Sequence, residues 1–147
     1  MSNSLTLAER IQHLEDIEAI RKLTATYALY VNKGWNGKEA NLDKLGAVFA
    51  EDARWSNATT TAIGPDGIAR MLEPAMAILD FAMHSFSNPI IDVDGDHATG
   101  NWLLWVAVKS GTSANEVFQS EDLTYVRTNS GWRIKNLSLH FGTMLLG

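Results

Sequence analysis

Cysteine is absent from the 147 residues. Its absence excludes disulfide bonds, a thiolate nucleophile and any cysteine-ligated metal, while leaving the compartment open. Surplus positive charge is missing too. Twelve Lys and Arg stand against 17 Asp and Glu, a net charge of −5, so the electrostatic basis of nucleic-acid binding is lacking. No apolar run approaches the roughly 20 residues needed to cross a bilayer; the longest runs only from Trp102 to Val108. The N-terminus shows no basic segment followed by an apolar core, so no signal peptide is expected and a cytoplasmic location is. Internal repeats and low-complexity tracts are also lacking. What is present is an ordinary globular balance, 46% apolar and 20% charged, in a length that suits one domain over residues 1–147. A domain of this size buries roughly 68–70% of its unfolded surface, enough for a core and a cavity.

Thr6-Leu7-Ala8-Glu9 fits a capping box. Leu7, Ile11, Leu14, Ile17, Ile20, Tyr27 and Val31 then recur at three- and four-residue steps, predicting an amphipathic helix to about Asn32 that Gly34 and Gly37 stop. A second helix is expected with Leu42, Leu45, Val48 and Phe49 inward, followed by a strand from Ala53 to Ile63. Gly64-Pro65-Asp66-Gly67 opens a third helix, with Ile68, Met71, Leu72, Met76 and Leu79 inward and a kink or split at Pro74. The rest reads as strands near 83–93, 97–110, 116–128 and 132–143. Their turns lie at Asp94-Gly95, at Ser110 to Asn115 and at Asn129-Ser130-Gly131. Helices first and a meander after them imply an α+β fold, with helices on one face of a curved antiparallel sheet.

The strand at 97–110 is apolar on both faces: Trp102, Leu104 and Val106 on one, Leu103, Trp105 and Ala107 on the other. One face should meet the helices. The other needs a cover, and a second copy of the chain is the simplest, so a homodimer or higher oligomer through the outer sheet face is expected.

His84 is the leading candidate for chemistry, because an imidazole titrates near neutral pH and can act as a general base. The alternative is a histidine hydrogen-bonded within the sheet. Tyr27 and Tyr30 share a helix face, where a hydroxyl can donate to a substrate carbonyl; core packing is the alternative. His140 lies in an apolar context on the last strand and is a second pocket candidate, whereas His13 and His97 read as surface residues. No metal site is expected, since His84 and His140 lack ligand spacing, and no cofactor is expected either. Trp55, Trp102 and Trp105, with Phe81, Phe86, Met76 and Met83, would suit a small hydrophobic ligand such as a polycyclic or terpenoid compound; core and interface packing is their other use.

His84, Asn88-Pro89 and the Ile91-Asp92-Val93-Asp94-Gly95-Asp96-His97-Ala98 turn together resemble the SnoaL-like branch of the nuclear transport factor 2 superfamily. Ile17 to Asn32 resembles its first helix, Leu45 to Ala53 its Leu-Phe-Ala-x-Asp-Ala segment, and Glu121-Asp122-Leu123 through Gly131-Trp132-Arg133-Ile134 its final hairpin. The resemblance implies a cone-shaped, curved, mixed or antiparallel sheet with three N-terminal helices on one face. It also implies kinship with polyketide cyclases, scytalone dehydratase, bile-acid dehydratase and a dehydrochlorinase. By that resemblance His84 is the catalytic histidine and a first-helix tyrosine polarises a substrate carbonyl. Asn32 stands where many members carry an aspartate, five residues after Tyr27. An asparagine can orient the imidazole but supplies no charge to favour imidazolium; Asp92, Glu121 or Asp122 would have to serve as the acid.

Two functional classes follow. One is a cofactor-free lyase or isomerase, with His84 moving a proton, Tyr27 or Tyr30 polarising an oxygen, Asn32 holding the ring, and Trp55, Phe86, Trp102 and His140 contacting substrate. The other is a non-catalytic small-ligand-binding or assembly module that keeps the cone without the dyad.

Overall fold

The computed structural model describes residues 4–147. Helix α1 (Leu7–Val31) opens with the expected capping box: Thr6 Oγ1 accepts from the Glu9 amide at 3.2 Å, and the Thr6 amide donates to the Glu9 carboxylate at 2.7 Å. Its apolar stripe divides. Ile20, Tyr27 and Val31 are buried, but Leu7, Ile11 and Leu14 are exposed, because among the described residues nothing covers those side chains. The second expected helix is only a 310 segment, Leu42–Ala47. Gly46 weakens it, and the chain is committed to the sheet by Phe49. Leu45, Val48 and Phe49 are nevertheless buried as expected.

The single strand expected at 53–63 is two, β1 (Phe49–Ser56) and β2 (Thr61–Ile63), paired antiparallel. Asn57 makes the turn between them, its side-chain oxygen accepting from the Thr59 and Thr60 amides at 3.0 and 2.8 Å. Helix α2 (Gly64–Ile78) runs through Pro74 without a split. Pro74 is exposed, so water can satisfy the carbonyl its missing N–H leaves free.

The meander follows as β3 (Phe81–Asp94), β4 (His97–Ser110), β5 (Ser113–Thr128) and β6 (Gly131–Leu146). The sheet order is β2-β1-β6-β5-β4-β3; β1 and β6 are parallel and all other neighbours antiparallel. The sheet is curved and unclosed, with the helices on one face, so the fold is α+β as expected, with one helix fewer. Along β4 the alternation resolves the two-sided pattern: Trp102, Leu104 and Val106 are buried on the concave side, while Leu103 and Trp105 are exposed on the convex side.

Candidate functional site

The end of α1 is fastened to the edge strand β3. Helix geometry stops at Val31, Asn32 turns extended, and Lys33 exchanges two backbone hydrogen bonds with Ala82 at 2.9 and 3.0 Å. Gly34 follows at φ 107°, and a side-chain carbon there would lie 2.6 Å from the Asp80 carbonyl oxygen. Only glycine allows both that conformation and that approach. The clamp sets Asn32 against His84, two residues along β3 from Ala82.

Asn32 Oδ1 lies 2.7 Å from the His84 amide nitrogen and 3.1 Å from His84 Nδ1. A backbone N–H can only donate, so the amide atom it meets is the oxygen. That oxygen can only accept, so Nδ1 carries the proton. The ring is thereby held as the Nδ1–H tautomer, with the lone pair on Nε2. No carboxylate takes part in this contact. The imidazole keeps some accessible surface, but the packing around it leaves little water to solvate a charge. Burial pushes its pKa down to about 4, so it is neutral at pH 7.

His84 and Asn32 share a pocket of about 310 Å³ with Ala28, Ser85, Phe86 and Trp102, its rim formed by Arg21, Ala25 and Leu29. Larger recesses lie elsewhere, about 440 Å³ around Asp43, Glu51 and Arg70, about 510 Å³ around Asp52, Ser130 and Lys135, about 350 Å³ around Asp92, His97 and Tyr125, and about 340 Å³ around Phe81, Glu116 and Leu146. Of their titratable groups only Tyr125 is buried, and its hydroxyl is taken up by Trp102 and Thr24, so the smaller pocket is the better chemical candidate.

Behind its aromatic wall sits a buried polar cluster. Phe86 and Trp102 meet edge-on with centroids 5.9 Å apart, and the Tyr27 ring lies 6.1 Å from Phe86. Trp102 Nε1–H donates to the Tyr125 hydroxyl at 3.0 Å, which in turn meets Thr24 Oγ1 at 2.8 Å. The Thr24 hydroxyl donates to the Ile20 carbonyl at 3.0 Å, so Tyr125 is the donor in the Tyr125–Thr24 bond and the chain is satisfied throughout. Trp55 Nε1–H donates to the Tyr27 hydroxyl at 3.3 Å. Glu121 is 1% exposed and pairs in register with Trp102; its Oε2 has no partner among the described residues. Burial holds its carboxyl well above the usual carboxylate range, which favours the neutral acid. The signal for its burial was strand parity: residues 121, 123 and 125 share a face, and Leu123 and Tyr125 are core. Thr24 and Tyr125 gave no such signal of a polar role.

Thus the structure brings together His84, Asn32, Phe86 and Trp102, and places Tyr27 and Trp55 one layer deeper. Tyr30 is partly buried against the core and lines no part of this pocket. His140 does not belong to it either. Parity sets His140 opposite the inward Leu137 and Leu139, where its Nε2 lies 2.9 Å from Asp122 on the exposed convex face. Asp122 is therefore no partner for His84.

The family profile of the SnoaL-like domain matches residues 12–138. The chain belongs to the SnoaL-like family. No curated protein matches it in sequence. Among solved structures, it is similar to a nuclear transport factor 2-like protein with a cystatin-like fold from Novosphingobium aromaticivorans, at 25% identity and TM-score 0.72, over 96% of this chain and 92% of that one. A protein from the same organism, provisionally assigned as scytalone dehydratase, superposes at TM-score 0.79 with 20% identity, over 90% of this chain and 88% of that one. The LinA-type3 hexachlorocyclohexane dehydrochlorinase of Novosphingobium barchaimii gives TM-score 0.78 and 18% identity, over 94% of both chains. For this SnoaL-like chain, the last two likenesses establish shared fold.

Proposed function

We propose that this SnoaL-like protein is a cofactor-free lyase or isomerase that moves a proton with His84 on a small hydrophobic, ring-bearing carbonyl or hydroxyl compound. The observation that carries the reading is the double acceptor role of Asn32 Oδ1, which fixes the ring and leaves the Nε2 lone pair free on a histidine that lines a pocket walled by Phe86 and Trp102. In the step envisaged, Nε2 takes a proton from the carbon beside a carbonyl. The freed electron pair moves onto the carbonyl oxygen, then returns to expel a β-leaving group or to accept a proton at another carbon. The dehydratase and dehydrochlorinase assignments of the two structural neighbours are consistent with removal of a proton and expulsion of a leaving group from the adjacent carbon.

Solvent-deuterium exchange at the α-carbons of cyclic hydroxyketones, followed by mass spectrometry, tests it. Exchange is expected with the wild type and lost in His84→Ala. Exchange that persists in folded His84→Ala overturns the role of the histidine. The second reading, a ligand-binding module without chemistry, draws on the lack of any carboxylate to stabilise the imidazolium that proton abstraction would create. It predicts saturable binding with no exchange by the wild type.

A further inference from the structure

Two hydrogen-bonding capacities in the core are left unused, and both adjoin the aromatic wall of the pocket. Tyr27 is 4% exposed, and its hydroxyl accepts from Trp55 but has no acceptor for its own proton among the described residues. Glu121 Oε2 is fully enclosed and has no partner among the described residues. An orphaned buried polar atom is rare in folded proteins and costs about 1–3 kcal/mol. Glu121 Oε2 is such an atom; together with a Tyr27 hydroxyl whose proton has no acceptor among the described residues, and beside a polar chain in which Trp102, Tyr125 and Thr24 are all satisfied, it marks a place where a missing partner belongs. Their position says where it enters. Phe86 and Trp102 line the pocket; the Tyr27 ring packs on the first, and Glu121 is the cross-strand neighbour of the second.

We propose that Tyr27 and Glu121 form the polar end of the ligand site, where a hydroxyl group on an otherwise apolar ring system accepts from the Tyr27 O–H and bonds to Glu121 Oε2. A hydroxyl fits because it both donates and accepts. The ligand's apolar body would lie against Phe86 and Trp102, with the Phe86 ring turning aside on entry. The proposal rests on the reading that the His84 pocket takes an apolar ligand, but does not depend on chemistry there.

The test uses 2-naphthol and naphthalene, titrated against the intact protein and followed by the indole N–H resonances of Trp55 and Trp102. Naphthalene is the more apolar of the two, so hydrophobic transfer alone favours it. The wild type is expected to bind 2-naphthol about tenfold more tightly, the worth of one good hydrogen bond. Tyr27→Phe and Glu121→Leu should each bring the ratio close to one. Glu121→Leu should also melt at a higher temperature, since it removes an unpaired buried group. Neither probe can undergo the proposed elimination or isomerisation, so the ratio reports on Tyr27 and Glu121 whether or not the proton-transfer reading holds. No preference for 2-naphthol in the wild type, or no binding of either probe, overturns the proposal. So does an unchanged ratio in folded Tyr27→Phe or Glu121→Leu, which would mean that a buried water, not a ligand, completes the pair.

Discussion

Residue 32 decides what His84 can be. As asparagine it fixes a tautomer without adding charge, and burial then holds the imidazole near pKa 4. Asn32→Asp would set a carboxylate about 3 Å from Nδ1 and favour the imidazolium. The expected outcome is a rise in the pKa of His84 of at least one unit by NMR titration, each unit being about 1.4 kcal/mol of coupling. An unchanged value would mean that the Asn32 contact is not kept in solution. The depressed pKa also has a consequence for stability. Below the unfolded value near 6.5 the unfolded chain takes up a proton on this ring that the folded chain refuses. Stability is therefore fully present above pH 6.5 and falls progressively toward pH 4. Denaturant midpoints measured across that window should fall for the wild type and fall less for His84→Gln. Glu121 works with the opposite sign. Its raised pKa means that the penalty for burying it grows as pH rises above the ordinary glutamate value, so Glu121→Gln should gain stability relative to wild type as the pH is raised.

Among the elements, the end of α1 against β3 builds the site, and Gly34 makes that junction possible. Gly34→Ala places a methyl group into the Asp80 carbonyl at a positive φ. It should cost more than about 1 kcal/mol and reduce the proposed proton-transfer activity by moving Asn32 off His84. A shifted His84 amide resonance would report the displacement directly. A second tie runs from the middle of α1 to the far strands: buried Asp16 receives both Arg127 Nη atoms at 2.8 Å and the Trp132 indole N–H at 3.1 Å. Asp16→Ala should lower stability by about 2–3 kcal/mol, read as a lower urea midpoint at unchanged slope. These ties explain what the sequence could and could not reveal. The capping box, the Asp94-Gly95 hairpin and the meander are local, set by residues within a few positions of one another, and all could be read directly. The Asn57 turn was local too, but the run of threonines after it reads as strand. The Asp16–Arg127 pair joins residues 111 apart, and exposure of Leu7, Ile11 and Leu14 depends on where the sheet ends; neither leaves a mark on periodicity. His84 and Asn32 stood out by residue type and resemblance. Their contact, and the depth of Tyr27 and Glu121, depend on the clamp at Lys33 and on strand register.

For the whole molecule, the convex face of the sheet raises a question of assembly. Leu103, Trp105 and Phe118 are exposed there at 49%, 38% and 39%. Trp105 and Phe118 are cross-strand partners whose rings stack 6.5 Å apart at 6°. Polar pairs stand beside this patch, Asn101 with Asp122 and His140 with Asp122. An apolar centre with a polar rim is the composition of an interface core, and stacked flat rings lose little side-chain entropy when covered. A homodimer or higher oligomer closed through this face is therefore expected, since a two-fold or cyclic arrangement covers the same patch on every copy. Light scattering at micromolar concentration checks it. Wild type should elute above the 16.2 kDa sequence mass, and Trp105→Glu should elute as a monomer with unchanged circular dichroism. Ile11→Glu is the control. That side chain belongs to a second exposed apolar surface, the start of α1, and its replacement should leave both assembly and stability unchanged, the latter within about 0.5 kcal/mol. A wild-type monomer, or an oligomer that survives Trp105→Glu and dissociates with Ile11→Glu, would rule out the sheet face and place the contact on the helix instead.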